Sequence, residues 1–168
     1  MRTRIEHLAC PHMLTTLAPL VCLGAAIVGG VFFAFSTFVM KALAQLPPSQ
    51  GIAAMQRINV VVLNPLFLSV FVGTAVLAVV CVAAGFFAWG TPRSVLLVAA
   101  GVLYLFGSFG VTAAFNVPRN ERLARMASGS EEAAAYWPVY VREWQKWNHV
   151  RTAASVASAA CAAAPLAC

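Results

Sequence analysis

The feature that most constrains this chain is a series of long stretches without a single charged side chain. They cover residues 13–40, 58–90 and 94–117 and contain 28, 33 and 24 residues. A helix of about 20 apolar residues crosses the ~30 Å hydrocarbon layer of a bilayer. Each stretch is therefore long enough to form a membrane-spanning helix.

Composition supports a membrane protein with little room for anything else. Of all residues, 61% are hydrophobic, and the mean hydropathy is +0.83. Only 10% of the residues are charged, whereas roughly a quarter of the residues in a soluble domain are charged. A fourth, Ala-rich stretch carries Arg151 one turn inside its start. We predict an all-α fold, an integral membrane four-helix bundle forming a single domain over 1–168. The predicted spans are 13–42, 58–89, 94–117 and 147–167, with a polar, partly helical surface segment at 118–146.

The charges are unevenly distributed between the two predicted membrane sides. The net charge is +6, and all five acidic residues are glutamates, so chemistry based on paired aspartates is excluded. Eight Lys and Arg residues fall on the side of the two longer loops, and Arg2, Arg4 and Arg93 fall on the other. The positive-inside tendency then predicts that loops 1 and 3 are cytoplasmic and both termini outside. The basic residues lie in short segments between apolar stretches, which argues against a nucleic-acid partner.

Polar side chains enter the predicted spans at one membrane side only. In the third span they recur every four residues, and in the fourth they fall within about 80° of one another around the helix. Polar groups are costly to place against lipid, by roughly several kcal/mol, so we predict that they line one interior pocket open toward the loops. The residues are Ser36, Thr37, Lys41, Arg57, Asn59, Asn64, Tyr104, Ser108, Thr112, Asn116, Trp144, Asn148, Arg151, Thr152 and Ser155.

Parts of this pattern also have a simpler interpretation. Ser and Thr within a span often bond to the preceding helical turn, and Trp residues commonly lie at the membrane surface. We interpret some residues in that way: Ser36, Thr37, Ser108, Ser155, Trp89 and Trp137. Five polar groups at one depth nevertheless favour a pocket, namely Asn59, Asn64, Asn116, Asn148 and Arg151.

Metal and cofactor chemistry is difficult to assemble from this sequence. His7 and His12 are predicted on the membrane side opposite His149, and no acidic residue lies within the spans. There is no phosphate-binding Gly loop or dinucleotide motif, and the five cysteines lack metal-ligand spacing. We therefore predict no cofactor. A haem or metal ion held by His149 stays an open alternative.

Four short segments resemble one known family. They read FSTFVMKAL, INVVVLNPLF, FNVPRN and WQKWNHVR, in that order along the chain. They are similar to the anthrone oxygenase-like family of small four-span membrane proteins, in particular its bacterial branch, and the resemblance covers roughly residues 24–160. Its most specific elements are Asn64 with Pro65, Asn116 with Pro118 and Asn120, and Trp144 with Trp147, Asn148 and Arg151.

The resemblance implies an activity as well as a fold. Some relatives, mostly in fungal polyketide pathways, are monooxygenases that convert an anthrone to an anthraquinone with molecular oxygen and no organic cofactor. The partners implied here are an apolar small-molecule substrate such as a polycyclic phenol, molecular oxygen and the lipid bilayer. The alternative is a membrane protein that is not an enzyme and binds a lipid or quinone or serves as a scaffold.

The anthrone chemistry suggests roles for the predicted site residues. Arg151 would stabilise the developing oxyanion, and Trp144 or Trp147 would stack on the rings. His149 is the candidate base, because its unperturbed pKa suits the task, although its helical phase is unfavourable. Asn64, Asn116 and Asn148 would orient the oxygen-derived species, and Asn59, Tyr104, Thr112 and Asn120 complete the predicted substrate-binding set.

Overall fold

The computed structural model describes residues 6–164, with side chains from Thr16 onward, and this part of the chain forms five helices and no strand. Helices α1 and α4 are continuous but contain π-helical turns. Helix α1 comprises Glu6–Ala34, the π-helical Phe35–Val39 and Met40–Ala44. Helix α2 is Pro48–Val61, α3 is Pro65–Phe87 and α5 is Glu131–Ala163. Helix α4 comprises Pro92–Val102, the π-helical Leu103–Gly110 and Thr112–Asn116, and Val117–Ala124.

The predicted all-α membrane fold is confirmed, with a difference between the spans. Three helices are long and apolar enough to cross a bilayer, namely α1 over Thr16–Ala44, α3, and α4 over Pro92–Ala124. Helix α5 is not among them, because polar and charged residues occupy its first half and its second half carries Arg151. A membrane crossing by α5 therefore stays a prediction.

The predicted second span, 58–89, is wrong at its start. The chain turns at residues 62–64, between α2 and α3, because the ring of Pro65 disfavours helical geometry in the residue before it. Asn64 has extended backbone geometry, with ψ 154°, and its Oδ1 accepts a hydrogen bond from the N–H of Phe67 at 3.0 Å. Asn64 is thus the N-cap of α3, and α2 is a separate helix.

The predicted segment 118–146 is largely helical, as expected, but it is not a separate element, because it divides between two long helices. Its beginning extends α4 to Ala124, and from Glu131 it forms the first half of α5. The Oγ of Ser130 accepts a hydrogen bond from the N–H of Ala133 at 3.2 Å, and two glutamates follow in the first turn. Both features stabilise a helix start, and the helix continues through Pro138 into the predicted fourth span.

The four long helices pack in chain order, α1 on α3, α3 on α4 and α4 on α5, and α5 also packs on α1. Small residues permit the close contacts. A Cβ at Gly101 would lie 2.7 Å from the carbonyl oxygen of Ala78, and a Cβ at Gly107 would lie 2.4 Å from the Cβ of Ala154. Helices α3 and α4, and α4 and α5, therefore approach each other more closely than larger side chains would allow.

Apolar residues close both ends of this arrangement. Near the α3–α4 turn the core contains Ala18, Val21, Cys81, Ala84, Leu97, Ala100 and Ala162. On the loop side it contains Met40, Leu43, Ile52, Met55, Leu123, Ala133, Tyr136, Trp137, Tyr140 and Trp144. The expectation of a pocket open toward the loops is therefore not met, because α2 and the first half of α5 cover that side.

Candidate functional site

The centre of the candidate site is Arg151, a charged residue that is only 5% exposed. Its guanidinium lies between two aromatic rings. The Cζ atom is 4.0 Å from the ring centroid of Phe32 on α1 and 5.1 Å from that of Trp144, two turns earlier on α5. Aromatic faces attract cations, by about 2 kcal/mol or more where water is excluded, so the two rings partly replace the hydration that Arg151 has lost.

Arg151 is held by neutral groups, as its sequence context suggested. Its Nη2 donates to Oδ1 of Asn148 at 2.6 Å, and its Nη1 donates to Oγ1 of Thr112 at 3.2 Å. Among the side chains that the structure describes, no carboxylate pairs with it, and Glu143 is engaged by Arg119 at 2.9 Å. The positive charge of Arg151 is therefore not neutralised by the described protein.

Asn148 fixes the position of the guanidinium. Its Nδ2 donates to the carbonyl oxygen of Phe32 at 2.8 Å and to Oγ of Ser36 at 2.7 Å, and Ser36 in turn lies 2.9 Å from Oγ1 of Thr152. These bonds join the end of α1 to α5. Ser36, expected only to bond to the preceding helical turn, is thus part of the polar cluster.

The polar cluster coincides with the π-helical turns of α1 and α4. Ser36 lies in Phe35–Val39, and Asn116 lies in Thr112–Asn116 together with Thr112. π-Helical turns alter the ordinary hydrogen-bonding register of a helix and occur frequently at functional sites. Each of the three π-helical segments that the structure describes contains at least one buried polar residue.

Several buried polar atoms around Arg151 have no hydrogen-bond partner in the described residues. They are Nε of Arg151, Nε1 of Trp144 and Oδ1 of Asn116. The other amide atom of Asn116, Nδ2, donates to the carbonyl oxygen of Trp144 at 3.2 Å. An unsatisfied buried group costs roughly 1–3 kcal/mol, so these donors and this acceptor favour a ligand or water that carries complementary oxygen atoms.

A second polar group lies nearer the loops. The hydroxyl of Tyr140, which is fully buried, donates to Oδ1 of Asn120 at 2.9 Å. Asn59 on α2 is half-buried beside the same hydroxyl, and Arg151 is within electrostatic range of it. Asn59 and Asn120 therefore surround Tyr140 rather than Arg151.

The structure places two further predicted residues away from Arg151. The hydroxyl of Tyr104 donates to the carbonyl oxygen of Phe71 at 3.0 Å within an apolar core. The ring of Trp147 is half-buried and stacks on Phe115, with centroids 3.6 Å apart and an interplanar angle of 8°. One face of Trp147 is therefore already covered by protein.

Asn64 and His149 do not join the cluster. The prediction that Asn64 faces the same interior as Arg151 is wrong, because this residue is exposed and both of its amide atoms bond within the α2–α3 turn. His149 is exposed on α5, as its helical phase indicated. Within the described residues, no three side chains of the His, Cys, Asp and Glu types are grouped so that they could hold a metal ion.

Sequence reasoning missed Phe32 and Tyr140. Phe32 is one apolar residue in an apolar stretch, so nothing in the sequence distinguishes it. Tyr140 had a usable signal, because it precedes Trp144 and Asn148 at intervals of four residues and so shares their helix face. That signal required α5 to begin before residue 140, which the sequence analysis did not predict.

A comparison with known protein families identifies the family to which this chain belongs. The sequence model of the anthrone oxygenase family matches residues 66–161, which is more than half of the chain. The chain therefore belongs to the anthrone oxygenase family, and the resemblance to this family seen in its sequence is confirmed, whereas its bacterial branch stays a prediction. Neither the curated proteins nor the solved structures contain a match to this chain. The matched region includes Asn116, Asn148 and Arg151, whereas Phe32 and Ser36 lie outside it.

Proposed function

We propose that this protein is a membrane-embedded monooxygenase that oxidises an anthrone-type or related polycyclic phenolic substrate with molecular oxygen and no organic cofactor. Membership in the anthrone oxygenase family supports an oxygenase role. The single observation that carries the chemical proposal is the placement of Arg151, buried between two aromatic rings and held by neutral acceptors. Such a cation is available to stabilise an anionic intermediate.

The reaction balances with oxygen as the only oxidant. Loss of a benzylic proton converts an anthrone into a phenolate-like anion, which transfers one electron to O₂. The resulting radicals combine into a hydroperoxide once a proton is returned, and this hydroperoxide loses water to give the ketone. One O₂ is consumed, one of its oxygen atoms enters the quinone and the other leaves in water.

The site residues would act mainly by electrostatics. Arg151 would bind the developing oxyanion, and an oxyanion donor of this kind is worth about 100- to 1,000-fold in rate. The ring of Trp144 would form an apolar wall for the flat substrate, and its Nε1 would donate to a substrate oxygen. The unpaired Oδ1 of Asn116 would accept a hydrogen bond from a phenolic hydroxyl or the hydroperoxide.

A water molecule would accept the first proton. His149 is exposed rather than directed at the cluster. The anion of an anthrone is aromatic, and a nearby cation lowers its free energy further, so a strong protein base is not required. The role of the protein is then to favour the anion and to exclude bulk water from the intermediates.

A second candidate function is binding of a quinone or lipid without catalysis. The observation that favours it is the pair of unpaired buried donors on α5, Nε1 of Trp144 and Nε of Arg151, because quinone carbonyl oxygens would satisfy them without any reaction. The two functions differ in oxygen consumption.

The test is oxygen uptake by the purified protein in detergent with an anthrone as substrate. We expect uptake well above that of detergent buffer, accompanied by the quinone spectrum, and a fall of about 100-fold in the Arg151→Ala variant. The matched control is Arg125→Ala, which removes an exposed arginine whose nearest carboxylate oxygen, on Glu121, is 3.9 Å away. Uptake equal to buffer, or an undiminished rate in folded Arg151→Ala, would reject the enzyme.

We also propose a location for the protein. The chain would form one transmembrane domain of four spans in a bacterial inner membrane, with the two longer loops in the cytoplasm. The excess of positive charge on the side of these loops supports that orientation.

A further inference from the structure

The corner between α2 and α3 contains a shallow depression of about 310 Å³, separate from the Arg151 site. It is lined by Ile58, Val61 and Val62 together with Arg57 and Asn64. Its surface is almost entirely apolar. A slot of this kind accommodates a hydrocarbon chain better than a polar molecule.

The residues around the depression place it at the membrane surface. Val60, Leu63 and Leu66 are 64%, 63% and 78% exposed, although all three are large and apolar. Helix α3, which is long and apolar enough to cross the bilayer, begins directly after this corner at Pro65. Lipid headgroups and the first part of their acyl chains therefore lie at the depth of the depression.

The only charged group in the lining is Arg57. It is exposed, and no carboxylate among the described side chains pairs with it. Asn64 cannot neutralise it and is already engaged, since its Nδ2 donates to the carbonyl oxygen of Val61 at 3.0 Å and its Oδ1 caps α3. The first turn of α3 adds a partial positive charge at the same corner. The electrostatic character of the site is therefore positive beside an apolar slot.

We propose that this depression binds an anionic phospholipid of the surrounding bilayer. The guanidinium of Arg57 binds the phosphate, for which its planar set of donors is suited. An acyl chain occupies the slot formed by Ile58, Val61 and Val62. This inference does not depend on the proposed oxygenase activity.

The test compares lipid retention by native mass spectrometry of the purified protein with phosphatidylglycerol and phosphatidylcholine of identical acyl chains. We expect the wild-type protein to retain phosphatidylglycerol preferentially. One basic residue near an anionic membrane is worth a change of about fivefold, so Arg57→Gln should reduce that retention about fivefold. Arg57→Lys should retain an intermediate amount, because charge is kept but the bidentate geometry is lost.

Two control arms separate the proposal from its alternatives. Arg125→Gln, which also removes an exposed arginine, should retain as much phosphatidylglycerol as the wild type. Oleate, an anionic amphiphile without a phosphate, should be retained less well. A wild type without preference, equal retention by Arg57→Gln, an equal loss in Arg125→Gln, or oleate retained as well as phosphatidylglycerol would each overturn the assignment.

Discussion

The buried guanidinium of Arg151 has lost most of its water of hydration and instead contacts two aromatic rings and two neutral hydrogen-bond acceptors. Moving a charge out of water costs several kcal/mol even after the protein relaxes, by order of magnitude. Hydrogen bonds to a charged group return about 1.5–3 kcal/mol each, and the rings at 4.0 Å and 5.1 Å add to this. A carboxylate partner would have compensated more of the cost but would also have cancelled the charge. The observed arrangement keeps that charge available for a bound anion.

Asn148 should be required for both stability and rate. Asn148→Ala removes both bonds to α1 and the bond from Nη2 of Arg151, and leaves this buried Nη2 without its acceptor. We expect the free energy of unfolding to fall by about 1–3 kcal/mol, and the rate of anthrone oxidation to fall with it. The measurement is denaturant unfolding in detergent alongside oxygen uptake.

Asn64→Ala is the matched control for Asn148→Ala. Loss of an exposed N-cap costs about 1 kcal/mol, and the oxidation rate of the folded fraction should be unchanged because Asn64 lies outside the cluster. If Asn64→Ala abolished oxidation while Asn148→Ala did not, the site would have been assigned to the wrong residues.

His149 should be dispensable. It is exposed on α5, so His149→Ala should change the oxidation rate by less than about twofold, since a catalytic acid or base typically contributes 100-fold or more. Measurement of the rate between pH 5 and 8 provides the check. A folded His149→Ala variant that is inactive at every pH would restore histidine as the base or as a cofactor ligand.

The sequence predicted part of the buried polar cluster for a physical reason. Asn116, Asn148 and Arg151 are polar residues within apolar stretches, and lipid exposure of such groups is too costly to be common. Asn64 followed the same rule but lies at a helix end, where an amide is satisfied locally by the backbone. Phe32 gave no signal at all, because its role depends on which helix its ring faces rather than on its residue type.

At the level of helices, the spans were predicted better than their boundaries. Charge-free stretches predicted α1, α3 and α4, because the bilayer sets their length and apolarity. The start of α5 was missed because residues 131–146 are polar and include Pro138, which suggested short surface helices. The capping signal of Ser130 with two glutamates was present in the sequence, but only packing on the loop-side core explains why one helix of 33 residues continues through the proline.

Close packing of α3 and α4 should depend on Gly101. An added Cβ would lie 2.5 Å from Cγ2 of Val82 and 2.7 Å from a backbone carbonyl of α3, which cannot move independently of its helix. We expect Gly101→Ala to lower the free energy of unfolding by about 1–3 kcal/mol. Gly73→Ala is the matched control, since nothing lies within 4 Å of its Cβ. Equal stability of the two variants in thermal unfolding would contradict the packing described here.

At the level of the whole molecule, the membrane crossing by α5 decides the topology. Four crossings place residue 164, at the end of α5, on the same side as Thr91 and opposite Gly129. Single cysteines at these positions, in a chain whose five native cysteines are replaced, can be labelled by a membrane-impermeant maleimide. We expect Thr91→Cys and Ala164→Cys to share one side. Labelling of Ala164→Cys from the side of Gly129→Cys would show that only three helices cross.

The measurement that most directly tests the catalytic account is the oxidation rate of the Arg151→Lys variant. Lysine keeps the positive charge but lacks the planar set of donors. In Arg151, two of these donors bond to Asn148 and Thr112, and the third, Nε, has no partner in the described protein and is available to a ligand. With folding verified by gel filtration and Arg125→Lys as the control, we expect kcat/KM for an anthrone to fall by at least about tenfold. A folded Arg151→Lys variant with the wild-type kcat/KM would contradict it.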